Sequence, residues 1–124
     1  MTAPFSLNAR AASFKYAMRG VVVMLREQHN ARIHLLATVV VILAGWGCAI
    51  SRNEWMAVFL AVGGVWMAEA LNTALEYIAD ALHPEQHPLI RNAKDVAAAA
   101  VLVFALCAAV VGWLVFGPHL LAGV

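Results

Sequence analysis

The chain has 124 residues, of which 64% are hydrophobic and only 12% are charged, and its formal net charge is +1. An ordinary soluble domain is about half apolar and about a quarter charged, and one of this size leaves roughly a third of its unfolded-chain surface exposed. The chain therefore has too few polar residues for a soluble fold and no excess charge to favour a nucleic-acid partner, and we expect a single membrane-embedded domain over residues 1–124.

The first predicted element is an amphipathic surface helix over residues 5–27. Apolar residues in this segment are interspersed with Arg10, Lys15, Arg19 and Arg26. This mixture is typical of a helix that lies in the membrane interface. The alternative is a solvated basic tail, but the segment lacks the enrichment in Gly, Pro and Ser that is typical of disordered tails.

Three membrane helices are predicted next, over residues 31–50, 54–82 and 92–117. Residues 33–50 contain no Asp, Glu, Lys or Arg and approach the length of about 20 residues that crosses a bilayer. The uncharged run 55–68 is too short to cross alone, so its helix must continue into the polar segment that follows. Gly117 and Pro118 are predicted to end the last helix.

The basic residues indicate how these helices are oriented. Seven of the eight Lys and Arg residues lie in residues 1–32 and in the loop 83–95, whereas only Arg52 lies on the other side. The positive-inside rule then places the N-terminus and the loop 83–95 in the cytoplasm.

A polar stripe interrupts the second membrane helix, formed by Glu69, Asn72, Glu76 and Asp80. The spacing of these residues puts them on one face of a helix, toward its cytoplasmic end. Ionisable groups inside a span are costly and usually mark a functional site, although helix packing and a solvated helix end for Asp80 are the alternatives. Carboxylates in this place suit the binding of a hard divalent cation or the removal of a proton, two tasks that phosphoryl transfer combines.

A second cluster occupies the loop 83–95 and the start of the third membrane helix. Lys94 and Asp95 are predicted beside the N-terminal end of that helix, where backbone amides favour an anion such as phosphate. The alternative is that Arg91 and Lys94 only set the topology. His83 and His87 lack a third metal ligand, so we favour surface or nucleotide-contacting roles over a zinc site.

The segment EALNTALEYIADALHPEQHPLIRNAKDVAAAAVL, residues 69–102, resembles the signature of the small prokaryotic diacylglycerol kinase family, which includes the undecaprenol kinases. Its E-x-x-N-[ST]-A-x-E-x-x-x-D core and its later A-K-D keep the family's spacing. The strings SFKYAMRG, residues 13–20, and NARIH, residues 30–34, are more similar to the undecaprenol kinase branch.

This resemblance implies an all-α integral membrane protein that assembles as a homotrimer in the bacterial cytoplasmic (inner) membrane. Its active sites would lie at the cytoplasmic interface and transfer the γ-phosphate of ATP, with Mg²⁺, to the hydroxyl of a lipid alcohol. Undecaprenol is favoured slightly over diacylglycerol. The identity of the lipid, the number of metal ions and the sharing of sites between subunits stay open.

The resemblance also assigns roles to individual positions. Glu69 matches the proposed general base, Glu76 matches a metal-binding carboxylate, and Asn72 supports the same polar face. Contacts with the nucleotide or its phosphates are implied for a further set, which comprises Arg10, Tyr16, Glu85, His87, Lys94 and Asp95.

One departure from the family pattern concerns the metal site. The position of Gln28 is a metal-binding Glu in much of the family. Glutamine offers a carbonyl oxygen without a charge, so metal affinity should fall unless the neighbouring Glu27 substitutes. The sequence leaves open which of the two residues completes the site.

Two other classes of function compete with the lipid kinase. A small multidrug-type transporter also uses short subunits and buried acids, but it predicts a central acid and usually a fourth span. A purely structural membrane subunit leaves the polar stripe and the phosphate-suited loop unexplained.

Overall fold

The computed structural model describes residues 6–82 and 87–122, which form four helices. These are α1 (Leu7–Glu27), α2 (His29–Gly47), α3 (Arg52–Leu82) and α4 (Pro88–Ala122). The last three are long and apolar enough to cross a membrane. The expectation of an all-helical chain with three such helices is therefore confirmed.

The observed bounds of the helices differ from the predicted ones mainly in α4. It begins at Pro88, because a proline at the first helical position lacks only an N–H that would have no partner within the helix. The predicted end at Gly117 and Pro118 is wrong, since the helix continues to Ala122. A contact of 3.1 Å between His119 Nε2 and Glu54 Oε1 anchors this last turn to α3.

The connection between α1 and α2 is a one-residue elbow at Gln28. The backbone of Gln28 is extended, with φ −99° and ψ 119°. The side chain of Arg32 reaches back to the end of α1, where its Nε donates to the carbonyl of Leu25 at 2.9 Å and its Nη2 donates to the carbonyl of Arg26. These bonds satisfy carbonyl groups that a helix end otherwise leaves unpaired, and they hold the elbow in place.

The turn between α2 and α3 is held by a reciprocal helix cap. The backbone N–H of Ser51 donates to Glu54 Oε2 at 2.7 Å, and the N–H of Glu54 donates to Ser51 Oγ at 3.4 Å. This capping box starts α3. Gly45 has no room for a side chain, because a Cβ there would lie 2.6 Å from the ring of Trp55.

The most extensive helix packing is between α3 and α4. A Cβ on Gly64 would lie 2.6 Å from the ring of Phe104, so this glycine permits the close approach of the two helices. Large apolar side chains such as Leu60, Met67 and Trp113 point outward and are exposed. An outward apolar surface is what a helix surrounded by lipid or by other membrane helices requires.

Candidate active site

The polar stripe of α3 includes Glu69, the most deeply buried polar side chain of the described residues. Glu69 is 1% exposed and Asn72 is 6% exposed, whereas Glu76 is only partly buried. Their spacing of three and four residues puts them on one helix face, as predicted. A carboxylate buried to this degree needs a partner or a function, since an isolated buried charge is strongly unfavourable.

The elbow at Gln28 brings the first two helices to this stripe. Gln28 Nε2 donates to Glu76 Oε2 at 3.3 Å, and Asn72 Nδ2 donates to Glu76 Oε1 at 3.4 Å. Both oxygens of Glu76 therefore accept a hydrogen bond from an amide. The structure joins three of the residues that the sequence singled out, although 48 positions separate Gln28 from Glu76.

Glu27 points to a different partner. The hydroxyl of Tyr77 donates a hydrogen bond to Glu27 Oε2, which ties the end of α1 to α3. Of the two candidates that the sequence left open, Gln28 is therefore the one whose side chain contacts Glu76.

Glu69 has a different neighbour from Glu76. Its Oε2 lies 3.9 Å from Nε2 of His34 on α2, and the side chain of His34 is 17% exposed. Within the described part of the chain, neither of these atoms has a hydrogen-bond partner, and neither does Asn72 Oδ1. An unpaired buried polar atom costs about 1–3 kcal/mol of stability. The presence of three such atoms in one place indicates a site that binds a polar ligand.

Asp80 and Lys94 form an ion pair that joins the C-terminal end of α3 to α4. Lys94 Nζ lies 2.6 Å from Asp80 Oδ1, and the two side chains are 33% and 66% exposed. Exposed ion pairs contribute only about 0–1 kcal/mol. Lys94 can therefore leave Asp80 for a stronger anion such as a phosphate group.

The predicted position of Lys94 relative to its helix needs a correction. Because α4 begins at Pro88, Lys94 and Asp95 lie in its second turn, where the backbone amides are already bonded within the helix. At the true N-terminal end, the N–H of Leu89 donates to Nδ1 of His87 at 3.2 Å. Any contact of Lys94 with an anion is thus made by its side chain and not by nearby free amides.

Four other residues assigned to nucleotide contacts are described, and all four are exposed. Arg10 and Tyr16 are exposed on α1, and His87 and Asp95 are exposed at the start of α4. Glu85 and His83 lie outside the described residues. Large exposed surfaces of this kind suit a soluble co-substrate that arrives from the aqueous side.

The donor set of the stripe fits a magnesium ion. No group of three or more His, Cys, Asp or Glu side chains comes together in residues 6–82 and 87–122. Magnesium does not require one, because it binds through one or two carboxylates together with water and substrate phosphates. Glu76 supplies a carboxylate, and the amides of Gln28 and Asn72 each present an oxygen when turned by 180°.

Three residues near the site were missed in the sequence. His34 interrupts an otherwise apolar run, but a count of Asp, Glu, Lys and Arg alone passes over it. In the sequence, Arg32 is only one of the basic residues of the segment 1–32, and no pattern singles out Tyr77. Their roles depend on the packing of α1 and α2 against α3, which no local sequence pattern encodes.

Comparisons with known proteins find similarity over most of the chain. The family described as "Prokaryotic diacylglycerol kinase" matches residues 15–116. The chain is 40% identical over 114 residues to a protein from Bacillus subtilis (strain 168) named "Undecaprenol kinase", with 92% of this chain and 93% of that protein covered. Proteins named "Diacylglycerol kinase" from Synechocystis sp. (strain ATCC 27184 / PCC 6803 / Kazusa) and Pseudomonas aeruginosa are 38% and 33% identical over 111 and 98 residues. These matches cover 89% and 79% of this chain, and 63% and 79% of the respective relatives.

Proposed function

The chain belongs to the prokaryotic diacylglycerol kinase family, and on that basis we propose that it transfers the γ-phosphate of ATP to the hydroxyl group of undecaprenol. Family membership makes the protein a membrane lipid kinase with ATP as its co-substrate. The choice of undecaprenol rests on the 40% identity to an undecaprenol kinase, which extends over 93% of that relative. Diacylglycerol is the second candidate, since two relatives of lower identity carry that name.

In the proposed reaction, Glu69 is the general base. Its carboxylate accepts the proton of the lipid hydroxyl while the hydroxyl oxygen forms a bond to the γ-phosphorus and the bond from that phosphorus to the ADP oxygen breaks. The support for this role is burial, because a carboxylate that is 1% exposed is shielded from competing water. Phosphoryl transfer depends mainly on positioning and charge stabilisation, and both require such a fixed site.

The metal is proposed to be Mg²⁺, held by Glu76 with oxygens from Gln28 and Asn72. When bound, Mg²⁺ neutralises the charge on the phosphates and helps to position them. The existing contacts of Gln28 and Asn72 with Glu76 support this grouping, because they already bring three oxygen-bearing side chains together. The neutral Gln28 makes this a site of lower charge than one with a second carboxylate.

The nucleotide is proposed to bind on the same side of the membrane as the segment 83–95 and the start of α4. Lys94 exchanges Asp80 for a phosphate oxygen, which its weak exposed ion pair permits. The family resemblance adds Arg10, Tyr16, Asn72, Glu85, His87 and Asp95 as further contacts to the nucleotide.

We also propose how the protein sits in the membrane. Its N-terminus and the loop 83–95 face the cytoplasm across the inner membrane, because seven of eight basic residues lie on that side. Helix α1 lies in the interface, in keeping with exposed apolar side chains such as Leu7 and Phe14 beside its basic residues. Three copies assemble into a trimer, in which neighbouring subunits complete the site.

The two competing classes of function lose their support. Neither a multidrug-type transporter nor a purely structural subunit fits a chain that belongs to a kinase family.

The direct test is a competition between lipid alcohols. Purified protein is mixed with ATP, Mg²⁺ and equal amounts of undecaprenol and diacylglycerol, and the two phosphorylated lipids are separated and counted. We expect undecaprenyl phosphate to form faster. Preferential phosphorylation of diacylglycerol would overturn the substrate assignment and leave the lipid kinase in place, whereas phosphorylation of neither lipid would overturn both.

A further inference from the structure

We infer that His34 is a positioning residue of the reaction, whose imidazole holds the Glu69 carboxylate in the orientation that receives the proton of the lipid hydroxyl. The inference rests on the proposed role of Glu69 as general base. The inference adds a residue of α2 to the candidate active site, whose other residues lie on α3, on α4 and at the elbow.

The first support is the pairing of two buried polar atoms. His34 Nε2 and Glu69 Oε2 lie 3.9 Å apart, and in the described part of the chain neither has a hydrogen-bond partner. The amides of Gln28 and Asn72 donate to Glu76 and not to Glu69. A buried carboxylate needs a nearby donor or positive charge, and His34 is the basic side chain that the described structure brings to it.

The distance itself suits a group that acts during the reaction. At 3.9 Å the pair is longer than a hydrogen bond. Catalytic contacts are often long in the free enzyme and shorten only when the substrate is bound. A shortening of about 0.7 Å from the present 3.9 Å would bring Nε2 within hydrogen-bond distance of Oε2.

The second support is a pair of hydrogen bonds that links α2 to α3 next to His34 and Glu69. Thr38 Oγ1 accepts from Trp66 Nε1 at 3.0 Å, and the same hydroxyl donates to the backbone carbonyl of His34 at 2.7 Å. Trp66 lies on α3 one turn before Glu69. These two hydrogen bonds therefore set the spacing between α2 and α3 at the His34–Glu69 pair.

The third support is the composition of the cavity that His34 lines. His34 lines a cavity of about 400 Å³ between α2, α3 and α4. The remaining described lining residues are Ala, Val, Ile and Gly, with Thr38 as the one other polar side chain. The described lining of the cavity thus offers the imidazole no competing carboxylate, and Glu69 is its acidic partner.

The test compares two substitutions of His34 with one matched control. His34→Leu removes the donor, whereas the Nε2 of Gln in His34→Gln can take the place of the imidazole Nε2. We expect His34→Leu to lower kcat at least about tenfold with an unchanged KM for ATP, as loss of a group that orients a catalytic side chain does. We expect His34→Gln to keep kcat within about threefold of wild type, because the donor is retained.

The matched control is His119→Leu. It removes the histidine that contacts Glu54 at the opposite end of α3, and it should leave kcat unchanged.

A double substitution separates positioning from a general effect on packing. In the Glu69→Gln background, His34→Leu should cause no further loss of the residual rate, because the group that His34 positions is already gone. An equal loss in both backgrounds, a wild-type kcat in His34→Leu, or a kcat in His34→Gln as low as in His34→Leu would each overturn the inference. Folding of His34→Leu is checked by size-exclusion chromatography and by thermal unfolding. If this variant does not fold, the comparison of His34→Gln in the wild-type and Glu69→Gln backgrounds tests the inference instead. If Glu69→Gln itself retains full activity, the proposed base is wrong, which is a separate failure.

Discussion

At the level of single residues, the environment separates two carboxylates that lie seven positions apart on one helix face. Glu69 is enclosed and has an oxygen without a hydrogen-bond partner among the described residues, whereas both oxygens of Glu76 accept from amides. A carboxylate with an uncommitted oxygen can take up a proton, and a carboxylate between polar ligands can hold a cation. Different surroundings are the usual way in which paired acids acquire different roles.

Replacing Glu69 by Gln should abolish most of the catalysis without disturbing nucleotide binding. The substitution keeps the shape of the side chain and removes its ability to accept the proton, so we expect kcat to fall about 10²-fold or more with little change in the KM for ATP. Transfer of labelled phosphate from ATP to the lipid measures both quantities. Glu54→Gln is the matched control, because it makes the same change near the opposite end of α3 and should keep the wild-type rate. A similar loss in both variants would point to a structural effect.

Replacing Gln28 by Glu should change the dependence of the rate on magnesium. The substitution adds a second carboxylate beside Glu76, which strengthens the binding of a hard cation. We expect the Mg²⁺ concentration at half-maximal rate to fall several-fold, as measured by titration at fixed ATP. Asn30→Asp adds the same charge to an exposed position of α2 and should leave the titration unchanged. An unchanged titration in Gln28→Glu would remove Gln28 from the proposed metal site.

At the level of helices, the elbow between α1 and α2 is the feature that assembles the site. Arg32 ties the carbonyls at the end of α1 to the start of α2, and Gln28 occupies the extended position between them. The hydroxyl of Tyr77 makes a second tie, from α3 to Glu27. The side chain of Gln28 reaches Glu76 because both ties fix the direction in which α1 leaves α2.

Loss of the Arg32 side chain should loosen this elbow. Arg32→Ala removes hydrogen bonds worth about 0.5–1.5 kcal/mol each, so the last turn of α1 should open more readily. We expect faster amide hydrogen exchange over the end of α1, together with a higher Mg²⁺ requirement for activity because Gln28 is no longer held. Arg19→Ala, in the exposed middle of α1, serves as the control. Unchanged exchange at the end of α1 in Arg32→Ala would show that Tyr77 alone holds the elbow.

The sequence predicts these helices better than it predicts their contacts. Helix type and number follow from the lengths of the apolar runs. The predicted end of α4 falls too early, because the contact of His119 with Glu54 joins positions 65 apart and leaves no local signal. The spacing of Glu69, Asn72 and Glu76 places them on one face without any knowledge of packing. The pairing of His34 with Glu69, and of Tyr77 with Glu27, depends on how α1 and α2 cross α3, and such crossings leave no local signal. The family resemblance supplied the link between Gln28 and Glu76 that spacing alone could not.

At the scale of the whole molecule, charge and apolar surface divide the chain by side. The basic residues concentrate at one end of the membrane helices, together with the polar stripe and the ion pair of Lys94 with Asp80. The opposite end holds the Ser51–Glu54 cap and the contact of Glu54 with His119. This polarity fits a protein that meets its soluble co-substrate on one side only.

The proposed orientation can be measured with a thiol reagent that does not cross membranes. The test uses a chain in which Cys48 and Cys107 are replaced by Ala, with one new cysteine introduced by Asn53→Cys or by Asn92→Cys. Both positions are exposed at helix starts. In intact cells with a permeable outer membrane, we expect Asn53→Cys to react and Asn92→Cys to react only after lysis. The opposite pattern would invert the topology and place the stripe outside the cytoplasm.

The length of α3 has a consequence for where the chemistry takes place. Its 31 residues extend about 46 Å, while the hydrocarbon layer is only about 30 Å thick. With Arg52 at the outer boundary in the proposed orientation, Glu69 lies about 26 Å inward, just within the hydrocarbon, and Glu76 lies about 36 Å inward, just beyond it. The lipid hydroxyl can then reach the proposed base without leaving the bilayer, and the phosphates can stay in water. Substrate and product can therefore enter and leave by sideways diffusion, and the enzyme never has to lift a long hydrocarbon chain out of the membrane.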